Sequence, residues 1–201
     1  MKVLCVSDRV EKALHGPGLN VHAAGVEAVI SCGDLPFEYL EYIVTFLGTP
    51  VYYVLGNHDP APETGKRPGG CTPLDGQVVD VGGVPVAGLS GSRAYSYGPN
   101  QYTERQMGLR AWSLAARIWR RKLFGKPVPR VFVSHSPPFG VGDRKDPAHV
   151  GFESFLGLLD RYEPTLWLHG HVHLYGPDEP RNVGYGRTRV VNVYGHEILE
   201  I

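Results

Sequence analysis

Asp8, Asp34, Asn57, His58, His135, His171 and His173 are side chains that bind metal ions or move protons, and each follows a short apolar run. Carboxylate and amide oxygens with neutral imidazoles form the donor set of first-row divalent cations. Two such ions a few ångströms apart clamp the oxygens of an in-line displacement at phosphorus. An imidazole beside them titrates near neutral pH and can pass a proton. Singly, the same residues have plainer readings. Asp8 and Asn57 would serve as helix caps, His135 before Ser136-Pro137-Pro138 as a loop histidine, and His171 and His173 as exposed turn residues. Their shared placement after apolar runs points to chemistry.

Those runs, at residues 2–6, 27–31, 51–55, 131–133 and 165–168, are near-continuous and rich in β-branched or aromatic side chains. Sheets covered on both faces demand such strands. Between them lie amphipathic segments. Residues 36–47 place Phe37, Leu40, Ile43 and Val44 on one face, and residues 152–159 repeat the spacing with Phe155 and Leu156. Residues 78–88 read as a hairpin turning at Gly82-Gly83, with closing strands at 189–194 and 198–201. The pattern predicts a four-layer α/β/β/α sandwich of two facing mixed sheets in a single domain spanning residues 1–201. Open α/β sheets carry their sites at the carboxyl ends of strands, where these polar residues fall.

The series Asp8, Gly33-Asp34, Gly56-Asn57-His58-Asp59, Ser134-His135 and Gly170-His171-Val172-His173 resembles the ordered blocks of the calcineurin-like metallophosphoesterases. The likeness runs from Val3 to about Tyr194. It implies phosphoester hydrolysis by a hydroxide held between two divalent ions, Mn²⁺ favoured over Fe, Zn, Co or Ni. It also implies that Asp34 bridges both ions. Asn57, His135 and His171 complete the second site; Asp8 and His173 complete the first. His58 contacts the phosphate and protonates the leaving oxygen.

The chain departs from that family at the first block, usually Asp-x-His but here Asp8-Arg9-Val10. Residues two apart in an extended segment face one way, so Val10 is expected to face the first ion and offer it nothing. A weak first site is the preferred consequence; His15 and His22 are substitutes from the next segment. The protein-phosphatase block Gly-Asp-x-x-Asp-Arg-Gly is also missing. Phe37 stands where an aspartate would orient the catalytic histidine, with Asp59 and Glu38 as alternatives. Asn192 matches the family's last strand end in kind, while His169 and His196 read as structural.

Residues 90–130 match none of the metal blocks. Arg93, Tyr95 and Asn100 lie in a loop rich in turn formers and aromatics, and are candidates for substrate contact. A helix is predicted over residues 104–124, capped by Thr103. Met107, Trp112, Ala115, Ile118 and Trp119 form one face, with Arg110, Arg117, Arg120, Arg121 and Lys122 on the other. The basic face reads as solvated or as a surface for a polyanion, and surplus tryptophan hints at a dimer.

Twenty basic residues balance twenty acidic ones, so bulk charge favours neither nucleic acid nor membrane. Three cysteines without paired spacing read as core residues and the chain as cytoplasmic. The favoured substrate is a small phosphodiester. A small phosphomonoester is the alternative, then a catalytically weak binding scaffold, with long nucleic acid less favoured.

Overall fold

The computed structural model describes residues 1–201 except Pro17 and Pro177. In chain order the strands are β1 (Lys2–Ser7), β2 (Ala28–Ser31), β3 (Val51–Tyr53), β4 (Cys71–Pro73), β5 (Val78–Val81), β6 (Val84–Leu89) and β7 (Ser92–Arg93). There follow β8 (Gln101–Tyr102), β9 (Val131–Ser134), β10 (Leu166–His169), β11 (Asn182–Tyr185), β12 (Thr188–Asn192) and β13 (Gly195–Glu200). The helices are α1 (Leu19–His22), α2 (Phe37–Leu47), α3 (Glu104–Leu123) and α4 (Glu153–Tyr162).

One sheet runs β13-β1-β2-β3-β4 and the other β11-β12-β10-β9-β6-β5, while β7 and β8 pair separately. Side chains alternate between two environments, as strands buried on both faces require. Val3 and Cys5 of β1, Val131 and Val133 of β9, and Leu166 and Leu168 of β10 share one apolar cluster between the sheets. Leu4 and Val6 turn the other way, onto Leu40 and Ile43 of α2. Phe132 and Trp167 turn onto Met107, Ile118 and Phe155 of α3 and α4. The result is the expected α/β/β/α order. Cys5 and Cys32 are free and buried in the core, and burial raises both thiol pKa values.

Two expectations about α3 need correcting. Its buried face is Met107, Ala111, Leu114, Ala115 and Ile118. Trp112 and Trp119 each sit one residue past a buried position, about 100° round the helix, and are 72% and 53% exposed. Nor is Arg110 part of the free basic face. Its guanidinium grips both Asp75 oxygens, at 2.6 and 2.8 Å, over the Tyr102 ring. The predicted start holds: the Thr103 hydroxyl accepts from Gln106 N–H while the Gln106 side chain accepts from Thr103 N–H, a reciprocal cap. The short β4, β7, β8 and β11 carry too few apolar residues to be read from pattern; in β11 every second residue is exposed.

Candidate metal centre at the strand ends

The parallel strands β1, β2 and β3 of one sheet, and β9 and β10 of the other, end on the same edge of the sandwich. Asp8, Asp34, Asn57, His135 and His171 follow those ends within a few residues. Asp8, Asp34 and His171 have φ of 63°, 56° and 65°, a left-handed conformation that L-residues adopt at a cost. Each turns its strand end sharply enough to bring the side chain across the sheet edge. The glycines of the blocks make room for that approach. A Cβ on Gly56 would overlap the Asp34 carboxylate and the His135 ring, and one on Gly170 would overlap Ser7 and Asp8.

Asp34, His135 and His171 each bring one ligand atom within 4.8 Å of the others. His135 Nδ1 lies 2.7 Å from the Cys32 carbonyl. A carbonyl only accepts, so this nitrogen carries a proton and Nε2 is the nitrogen left to serve as a ligand. That Nε2 faces Asn57 Oδ1 at 3.1 Å and Asp34 Oδ2 at 3.2 Å. Asn57 donates its Nδ2–H to the Tyr95 hydroxyl, which leaves its oxygen turned inward. His171 donates Nε2–H to the Ala148 carbonyl at 2.6 Å, so its Nδ1 is the free nitrogen. Carboxylate oxygen, amide oxygen and imidazole nitrogen thus converge, and a cation bound there would replace the proton that His135 Nε2 carries in the bare protein. A divalent cation fits that donor set.

The electrostatics of the bare protein show the same demand for positive charge. Burial opposes a charged His135, but the adjoining Asp34 carboxylate outweighs it and holds the pKa at about 9. Burial would raise Asp34, yet His135 and the His58 amide bring it down to about 2. Burial and repulsion from His135 push His171 down to about 3. Asp8 is raised by burial against the pull of His135. Its two oxygens accept from the His171 amide at 3.1 and 2.9 Å, and His173 Nε2 lies 3.8 Å away.

Val10 does not follow the extended register expected of it. The chain turns tightly at Asp8, with Arg9 N–H on the Ser7 carbonyl at 2.7 Å, and Val10 is 39% exposed. His15 packs edge-on against Tyr42 and Tyr39, and His22 lies on exposed α1. Neither joins the cluster.

His58 is exposed and anchored by its backbone, whose N–H donates to Asp34 Oδ1 at 2.8 Å. It lines a cleft of about 380 Å³ with Asp34, Phe37, Glu38, Asp59 and Lys66. Asp59 also makes backbone contacts. Its Oδ2 accepts the amides of Asp34 and Gly56 at 2.9 and 2.7 Å, tying the second and third blocks together. Burial, partly offset by the Gly56 amide, raises its pKa to about 6.

The three proposed substrate contacts divide. Tyr95 reaches the centre through Asn57. Asn100 is buried, and its Nδ2 donates to the Gly56 and Asp59 carbonyls at 2.9 and 3.1 Å, which braces the block. Arg93 donates to the Gly151 carbonyl and pairs with Glu104, an anchor for the loop. Asn192 secures the last block by donating to the Val172 carbonyl at 2.7 Å. His169 is buried against Gly142, with burial lowering its pKa to about 4. His196 stands opposite Val6 in the β1–β13 ladder.

Sequence reasoning missed the segment that covers the centre. His149 lies 5.1 Å from the His171 ring and 6.4 Å from that of His173. Asp146 holds its Nδ1 at 2.7 Å. Arg144 donates to the His173 carbonyl at 2.7 Å and pairs with Glu179. Arg144, Asp146 and His149 sit in a charged loop between β9 and α4 with no periodicity; a histidine three residues after an aspartate was the only cue.

The sequence pattern of the calcineurin-like phosphoesterases matches residues 12–175. Among curated proteins none matches the chain. Among solved structures, TT1561 of Thermus thermophilus superposes with a TM-score of 0.62 at 17% identity, covering 96% of this chain and 89% of its own. A Vps29 from Entamoeba histolytica aligns with a TM-score of 0.47 at 15% identity, over 96% of this chain and 73% of its own. At such identities the likeness to TT1561 is one of fold.

Proposed function

The chain belongs to the calcineurin-like phosphoesterases, and from that premise we propose that it hydrolyses a small phosphodiester at the strand-end cluster. One observation supports this most: oxygens of Asp34 and Asn57 and one ring nitrogen each of His135 and His171 converge, while the other ring nitrogens and the Asn57 Nδ2 are bonded to Cys32, Ala148 and Tyr95. Those four residues would hold one divalent ion. Asp8 and His173, with Asp34 as the bridge, would hold a second and weaker one. Mn²⁺ is the first choice for this mixture of carboxylate, amide and imidazole donors. When bound, the ions neutralise phosphoryl oxygens and lower the pKa of a coordinated water.

The chain's own residues do the rest. Cys32 and Ala148 fix which nitrogen His135 and His171 offer, and Tyr95 fixes the Asn57 amide. The strained turns at Asp8 and Asp34 set the carboxylates before any ligand arrives, so less order is lost on binding. His58 projects from a backbone bonded to Asp34 and can give a proton to the leaving oxygen. A diester suits the cleft because Lys66 is the one lysine or arginine lining it, beside the carboxyls of Glu38, Asp34 and Asp59. A singly charged phosphodiester meets less repulsion there than a dianionic monoester. The three cysteines are free, which suits a reducing compartment, and we place this single-domain enzyme in the cytoplasm. No helix among the described residues is long and apolar enough to cross a membrane.

The test is hydrolysis of bis-p-nitrophenyl phosphate and p-nitrophenyl phosphate with Mn²⁺, by the wild type and His58→Ala. The diester should turn over faster, and loss of His58 should lower kcat by about 10²–10⁴. Faster monoester turnover would reassign the substrate class. No turnover of either, with metal bound, would favour the scaffold reading that Val10 keeps in play.

A further inference from the structure

A pocket lies away from the strand-end cluster, between the start of β5 and the end of α3. It measures about 530 Å³ and is lined by Gln77, Val78, Arg117, Arg120, Arg121, Phe124 and Lys126. None of these residues belongs to the cluster or to the His58 cleft. Arg117 lies 13 residues beyond Glu104, the first residue of α3, so the helix alone carries the pocket roughly 20 Å from that end.

Its chemistry is one-sided. Four cations line it and no carboxylate does, and none of the four forms an ion pair among the described residues. Arg117, Arg120 and Arg121 are spaced to share a helix face, where like charges repel. Cations do complement the carboxyl end of a helix, but that needs no concavity. The chain also folds a fourth cation back into the group. Gly125, at φ 69°, closes the helix, and Lys126 N–H returns to the Arg121 carbonyl at 3.0 Å. The Nε of Arg121 is buried and has no partner among the described residues. Gln77, opposite, accepts from Arg117 at 3.3 Å, and Phe124 stands 76% exposed at the rim.

We infer that this pocket binds a small anion bearing two or more linked phosphates. Guanidinium groups recognise phosphate oxygens in pairs, and the volume lies in the range of small-ligand sites, about 300–1,000 Å³. A single phosphate would leave most of the four cations unused. The exposed ring of Phe124 offers a face to a base if the phosphates carry one.

The inference is independent of the phosphodiesterase reading, and calorimetric titration of the full chain in EDTA tests it apart from metal chemistry. The probes are tripolyphosphate, ATP, orthophosphate and a single-stranded oligouridylate. Tripolyphosphate and ATP should bind at one site per chain, both more tightly than orthophosphate. Arg117→Ala with Arg121→Ala should weaken both about tenfold or more. Arg105→Ala, an exposed cation on the same helix outside the pocket, and Asp34→Asn should leave them unchanged. ATP binding more tightly than tripolyphosphate would identify a nucleotide; equal binding would identify the phosphate chain alone. No binding at millimolar concentration would overturn the inference. So would equal weakening by Arg105→Ala, loss in Asp34→Asn, or tighter binding of the oligouridylate. Unchanged melting temperatures in the arginine variants would exclude unfolding as the cause.

Discussion

The strand ends and the carboxyl end of α3 both gather charged groups, and they do so under opposite conditions. At the strand ends Asn57, His135 and His171 are buried in a hydrogen-bonded cluster, and the backbone is held in left-handed turns at Asp8, Asp34 and His171. At the end of α3 the backbone is ordinary helix, the cations are largely exposed, and no acid answers them. The two regions show what a fold must supply for two kinds of work. Holding ions in a fixed constellation demands strain and desolvation, tolerated because the surrounding sheets over-determine the geometry. Gathering an anion demands only that positive charge converge on a concavity, and a surface helix does this without strain.

The contrast between strained strand ends and unstrained surface helix predicts opposite responses to one substitution at a site of each kind. Gly56→Ala forces a methyl into the Asp34 carboxylate and the His135 ring. It should cost about 1–3 kcal/mol of stability, as overpacking does, and weaken metal binding. Gly157→Ala, in α4 beside α3, meets open space and should gain about 0.5–1 kcal/mol. Chemical denaturation of both variants checks the pair, and changes of the same sign would break the comparison.

An effect of similar size sharpens it through pH. Burial lowers His169 to about 4 from an ordinary 6.5, so the folded state takes up the proton less readily than the unfolded one. The stability that depends on neutral His169 is complete above pH 6.5 and is lost as pH falls toward 4. His169→Gln should flatten that fall by roughly 1–3 kcal/mol in melts across this window. An unchanged pH slope would mean that His169 does not resist protonation. Smallest of all, Trp112→Gln should shift stability by no more than about 0.5 kcal/mol, as at exposed sites generally. A larger loss in a denaturant melt would show that the ring packs against more than its 72% exposure implies.

The same contrast explains what the sequence made legible. Strand runs that end in Asp, Asn or His advertise the centre because the two-sheet fold leaves little else to place at those ends. The layers followed from alternation too strong to misread, as in Phe132 between Val131 and Val133. The roles of Asn100 and Asp59 were hidden, since a side chain that braces backbone amides and carbonyls looks like one that meets a ligand. The loop carrying Asp146 and His149 was hidden too, because it reaches the centre by tertiary contact alone. On α3 a shift of one residue separated Trp112 from Ala111, finer than a face drawn from hydrophobicity resolves. Val10 was read through a strand period that the turn at Asp8 interrupts.

The central claim is that the strand-end cluster is a metal-dependent catalytic centre, and a Mn²⁺ titration of bis-p-nitrophenyl phosphate hydrolysis in the wild type and Asp34→Asn tests it most directly. Turnover should rise with added Mn²⁺ in the wild type and fall by more than about 100-fold in the variant, since even groups that only support a ligand are worth 10–100-fold. Turnover that ignores Mn²⁺, or that survives the loss of Asp34, would contradict the account.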